Sequence, residues 1–213
     1  MRKNVLLTLL LFVFVCSCKE KASQQTQVYN NDFQGNDLSK ITSGQIEQFN
    51  GNAVLGRYNR GGFTLKLDNM PAHDLVTISL DLYIHDSWDG NKQDVDGPDI
   101  WQLLVDGGLF INTTFSNDNC GVNEFCSPQS YPLDYPNNYN NPKTGAYAFG
   151  LPFACKPTEP RGTTAYKIVR TIKHSNATMV LQCLDKLVQT NAPDPKCDES
   201  WSIDNLNIKA IKL

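Results

Sequence analysis

Histidine is scarce in this 213-residue chain, and the short motifs that build a catalytic centre are missing. The three histidines stand at 73, 85 and 174, none in an HExxH pair, and neither GxSxG nor a phosphate-binding glycine loop occurs. Zinc-peptidase, serine-hydrolase and nucleotide-dependent chemistries therefore have no foothold. Excess positive charge is missing too: 19 Lys and Arg face 22 Asp and Glu, with no basic stripe. That argues against nucleic acid as a partner and against a polybasic lipid-binding arm. No apolar run after residue 15 is long enough to span a bilayer, no stretch of useful length has capped helical periodicity, and no internal repeat is visible.

What is present begins at the N-terminus. Met1, Arg2, Lys3 and Asn4 precede an apolar run from Val5 to Val15, the charged head and short h-region of a secretory signal peptide. The run ends Val15-Cys16-Ser17-Cys18, where a small residue followed by Cys matches the bacterial lipobox. Cys18 is the expected lipid anchor; cleavage before Cys16 would put the β-branched Val15 where a small side chain is needed. The expected organisation is a signal peptide over 1–17, a lipid-anchored tether over 18–27 rich in Gln, Ser and Lys, and one domain over 28–213. The mature chain keeps 17 basic against 22 acidic groups. The expected location is extracytoplasmic, on the outer membrane of a Gram-negative bacterium, with the facing side open.

Five cysteines lie beyond the lipobox: Cys120, Cys126, Cys155, Cys183 and Cys197. Their spacings lack the tight CxxC pairs of a zinc site, and an oxidising compartment permits disulfides. Two bridges leave one thiol over, Cys120 with Cys126 being the local pairing expected.

Alternation of period two dominates the rest. From Leu75 to His85, Val76, Ile78, Leu80, Leu82 and Ile84 interleave with Thr77, Ser79, Asp81, Tyr83 and His85. The same pattern marks Phe63, Leu65 and Leu67, then Trp101, Leu103 and Val105, with further strand-like runs at 109–115, 164–173 and 178–184. Near the C-terminus Trp201 and Ile203 keep one parity while Leu206, Ile208 and Ala210 keep the other, which predicts a β-bulge at Asp204-Asn205. Short strands between Gly, Asn, Asp and Pro clusters predict an all-β antiparallel sandwich of jelly-roll type.

Two segments interrupt this rhythm. Residues 86–99 place Asp86, Asp89, Asp94, Asp96 and Asp99 on one turning chain with Gly and Asn, the composition that wraps a calcium ion and also that of an ordinary turn. Asp32 near the first strand, with Asp198, Glu199 and Asp204 near the last, forms a second candidate. Residues 127–162 hold seven of the 11 prolines, with Tyr131, Tyr135, Tyr139 and Tyr147 among asparagines. Flat rings and amide groups are what sugar recognition requires. Tyr131, Tyr135 and Tyr139, with Asn137, Asn138, Asn140 and Trp88, form the candidate ligand rim; packing of the same tyrosines against the sandwich is the other reading. Trp101 and Trp201 follow strand alternation into the core.

The blocks NDFQG, DLYIHDSWDGN, GPDIWQLLVDGG, NTTFSN and DESWSIDNLNI resemble β-sandwich modules of secreted and surface bacterial proteins, of carbohydrate-binding and lectin-like type. The resemblance implies a jelly-roll module that binds rather than turns over its ligand, often with a structural calcium shared between residues equivalent to Asp32 and Asp204. Jelly-roll polysaccharide lyases, which use a Tyr and a His on the concave sheet, supply the alternative, with Tyr83 and His85 as the pair beside Asp81. A non-catalytic adhesive or structural surface lipoprotein needs only the same fold. The expected function is thus a lipid-anchored module for a glycan or a surface protein, with β-eliminating catalysis and pure adhesion as the competing classes.

Overall fold

The computed structural model describes residues 24–118, 120–121, 126–190 and 192–213. The lipobox, Cys18 included, lies outside the described residues. Twelve strands form among those described: β1 Gln24–Asn31, β2 Ile41–Thr42, β3 Ile46–Phe49, β4 Asn52–Tyr58, β5 Gly62–Leu67, β6 Leu75–Asp86, β7 Ile100–Val105, β8 Gly108–Thr114, β9 Ala148–Leu151, β10 Thr163–Lys173, β11 Met179–Asp185 and β12 Glu199–Lys212. They build two antiparallel sheets, one ordered β3-β4-β12-β6-β10-β9 with β1 also on β12, the other β2-β5-β11-β7-β8. The chain stays within one sheet only from β3 to β4, from β7 to β8 and from β9 to β10, and crosses between the sheets at every other connection. That alternation is a jelly roll.

The core lies between the sheets because each long strand turns one parity inward. Ile78, Leu80, Leu82 and Ile84 of β6 are fully buried against Phe63 and Leu65 of β5, Trp101 and Leu103 of β7, and Leu181 of β11 within a single cluster. Trp201 stands T-shaped to Trp101 with ring centroids 5.9 Å apart. Cys183 is in the same cluster, so the odd cysteine is a core residue.

The predicted bulge is present. On β12, Asp204 pairs with Asp81 of β6 and Asn207 with Ser79, so β12 carries one extra residue, and Asn205 takes φ 52°. Asp204 stays outside while Leu206 turns in. β1 begins inside the segment read as a tether: Gln24–Gln27 pair with Lys212–Lys209, because backbone hydrogen bonds to an edge of β12 do not require apolar side chains. Cys120–Cys126 and Cys155–Cys197 are disulfides. Among the described residues no helix is long and apolar enough to cross a membrane.

Candidate functional site

The insert is an ordered loop because buried amides replace the hydrogen bonds that strands would supply. Gln129 is the hub. Its Nε2 donates to the carbonyls of Tyr131 (3.1 Å) and Thr144 (3.0 Å), and its Oε1 accepts from Lys143 N (2.9 Å). Asn91, in the carboxylate-rich turn, donates to Asn138 O at 2.8 Å and accepts from Ser130 Oγ at 3.0 Å and from Thr114 Oγ1. Gly90 makes the approach possible: with φ +65°, a Cβ there would lie 2.4 Å from Pro128 O.

This clamp redistributes the rim expected from sequence. Tyr131 packs on Phe115 and Tyr166, with centroids at 4.9 and 5.2 Å, so it is a foot of the insert rather than a platform. Tyr135 accepts a hydrogen bond from Gln93, and its N–H donates to Asn112 O. Asn138 and Asn140 donate to carbonyls within the insert. Trp88 is fully buried against Phe115 and donates Nε1–H to Ser200 O at 2.9 Å; it is a core residue, not a ligand residue. Asn137 and Tyr139 remain exposed, Tyr139 at 73 %.

Between the insert and β9 runs a groove of about 950 Å³, bounded by Asp118, Asn141, Pro142, Lys143, Phe149 and Arg161. Phe149 is 72 % exposed because β9 is an edge strand, paired only with β10 in its sheet. Burial pushes the Lys143 ammonium pKa down, with Arg161 acting the same way and Asp118 opposing. Burial and the Asp89 carboxylate push Asp118 up, against Lys143 and Lys92. The groove thus combines an exposed ring, two prolines and the Cys120–Cys126 bridge with charged and amide groups, suiting a ligand with an apolar face and hydroxyl edges. No local motif marks Phe149 in the sequence; its exposure follows from strand order, which alternation does not encode.

The Tyr83 and His85 pair is closed. His85 is fully buried, its ring nitrogens 2.9 Å from Thr163 Oγ1 and 2.7 Å from Ser202 Oγ, with Phe49 of β3 lying 4.6 Å away. Burial, with Arg57 adding, lowers its pKa to about 3, and burial raises that of Tyr83. A tyrosine held protonated beside a sealed neutral imidazole is poorly set for proton abstraction.

The five aspartates of the turn do not converge. Asp89 and Asp94 bind Lys92 at 2.7 and 2.9 Å, and Asp96 accepts from Thr190 Oγ1 at 2.6 Å. Asp86, at φ 66°, turns toward Arg57 and Lys156, and burial lifts its pKa to about 7. Asp99, fully buried, accepts from Asp89 N and lies near Glu199 of β12 and Gln189. In the other candidate set Asp32 is exposed, and Asp204 accepts from Asn205 N. Burial raises the Asp204 pKa, with the Asp81 and Asp32 charges acting the same way, and Asp81 itself holds Lys167 and Asn205. Among the described residues, Cys155, Asp194 and Cys197 also lie close together, but the two cysteines form a disulfide and offer no thiolate.

No family model and no curated protein matches the sequence. Among solved structures, latent PorU from Porphyromonas gingivalis is 8 % identical, with a TM-score of 0.44 over 91 % of this chain; the chain covers only 14 % of PorU. The mannan-recognising carbohydrate-binding module TmCBM27 is 12 % identical, TM-score 0.40, over 88 % of this chain and 99 % of its own. A family 35 carbohydrate binding module from Clostridium thermocellum is 9 % identical, TM-score 0.36, over 79 % and 88 %. The structural neighbours thus include carbohydrate-binding modules, while this chain's class, an all-β antiparallel jelly-roll sandwich, rests on its own two sheets.

Proposed function

We propose that this chain is a glycan-binding module whose ligand lies in the groove between the insert and β9. The carrying observation is Phe149, an aromatic ring exposed on the wall of a groove whose other lining includes Asp118, Asn141, Lys143 and Arg161. A sugar presents an apolar C–H face to such a ring and hydroxyls to the polar wall. Tyr139 and Asn137, exposed on the same insert, extend the surface. Binding without turnover is the reading, since His85 is sealed beneath Phe49.

The test is retention on polysaccharide arrays. Phe149→Ala should reduce glycan affinity about five- to thirtyfold, the loss of a stacking contact worth about 1–2 kcal/mol, whereas Tyr135→Phe should leave it near wild type. Equal retention by wild type and Phe149→Ala would remove the groove from the account. No retention on any glycan would favour the adhesive reading, and an unsaturated sugar product absent in Tyr83→Phe would favour the lyase.

We further propose that the precursor is cut before Cys18 and held on the membrane by acyl chains, at about 0.8 kcal/mol per buried CH₂. Palmitate labelling that disappears in Cys18→Ala, with release of the chain from membranes, supports this. Unlabelled wild type contradicts it.

A further inference from the structure

Glu199 begins β12 on the parity of Trp201 and Ile203, so it stands at the end of the space between the sheets. It is 3 % exposed. Asp99, 0 % exposed, immediately precedes β7 of the opposite sheet, and Gln189, 7 % exposed, follows β11. Each of the three has an oxygen with no hydrogen-bond donor: Asp99 Oδ1, Glu199 Oε2 and Gln189 Oε1. The residues are neighbours: the Gln189 amide and the Asp99 carboxylate both lie near enough to Glu199 to act on its carboxyl.

Nothing cationic answers them. Among the described residues neither carboxylate has a salt bridge, and the nearby Lys92 is committed to Asp89 and Asp94. Buried carboxylates are ordinarily paired, hydrogen-bonded or bound to metal. Here burial pushes both groups' affinity for protons well up, with the Asp89 charge adding at Asp99 and the Asp99 charge adding at Glu199.

We propose that Asp99 Oδ1, Glu199 Oε2 and Gln189 Oε1 are protein ligands of a divalent hard cation, calcium by its preference for oxygen, which ties the two sheets together at this end of the sandwich. Two carboxylates with an amide carbonyl are an all-oxygen donor set, which selects calcium over zinc or copper. The set draws one acid from the carboxylate-rich turn, one from the last strand, and an amide from neither.

The site is independent of the glycan groove, so each stands or falls alone. The full mature chain, stripped with chelator, is titrated with Ca²⁺ by calorimetry and melted with and without it. Tb³⁺ provides a second readout: Trp88 donates to Ser200 O, next to Glu199, and should sensitise the ion's luminescence. The expected result is a single saturable site, a Tm that rises with Ca²⁺, and Ca²⁺-reversible terbium emission. Glu199→Gln should weaken binding roughly tenfold or more, because affinity follows ligand charge, and should lose most of the Ca²⁺-dependent rise in Tm. Asp99→Asn is the second variant should Glu199→Gln not fold. Asp94→Asn, whose carboxylate lies on Lys92, should bind as wild type. Absence of calcium and terbium binding, binding unchanged in Glu199→Gln and Asp99→Asn, or binding lost in Asp94→Asn would overturn the assignment.

Discussion

His85 is neutral in the folded protein because its ring is sealed under Phe49 and held by Thr163 and Ser202. Its pKa, lowered to about 3, lies below the value of about 6.5 that it regains on unfolding. The unfolded chain therefore takes up the proton first. The stability His85 contributes is complete above about pH 6.5 and falls as pH drops toward 3, by at most about 1.4 kcal/mol per pH unit. Asp86 works in the opposite sense: raised to about 7, its contribution is complete below about pH 4 and is lost as pH rises through 7. Because the two offset each other in a denaturation curve, NMR of the imidazole is the cleaner measurement. His85 should stay neutral at pH 5, and a ring that titrates near 6.5 contradicts its burial.

Strand pairing sets the next scale. Gly62 on β5 faces β11 so closely that a Cβ would lie 2.0 Å from Cys183 O. Gly62→Ala must push β5 off β11 and should lower stability by about 1–3 kcal/mol, read as a lower denaturation midpoint; an unchanged midpoint would mean that β5 yields freely. The Cys155–Cys197 bridge, spanning 42 residues, ties the segment after β9 to the turn before β12. Replacing both cysteines with Ser should cost about 2–4 kcal/mol.

At this scale much was legible in the sequence. Unbroken alternation marked β6, and the change of parity between Ile203 and Leu206 marked the bulge, because a core between two sheets forces one side of every strand inward. Side chains in turns obey no such period. Trp88 reads as an exposed ring in a polar turn, yet the turn folds back and its indole caps the core. Asp99 and Glu199 are 100 residues apart, and only the juxtaposition of β7 and β12 ends joins them. His85 belongs by parity to the outer face, where the Phe49 ring from the end of β3 covers it, a contact that depends on sheet order.

For the whole molecule, the turn at Asp89–Asn91 links the two working regions. Asp89 N–H donates to the Asp99 carboxylate and Asp99 N–H to Gly90 O, while Asn91 and Gly90 hold the insert that walls the groove. The sandwich places an exposed aromatic ring at a sheet edge and buries its charge at the end of the core. Ligand contact and structural rigidity are therefore carried by different residues, and substitutions on the groove wall should leave the melt unchanged.

The most direct test of the central claim, that the groove beside Phe149 binds glycan, is NMR chemical-shift mapping during titration with a polysaccharide retained on the array. Shifts confined to Phe149, Asn141, Lys143 and neighbouring amides, and absent in Phe149→Ala, are the predicted result. Shifts centred elsewhere on the sandwich, with the groove silent, would contradict it.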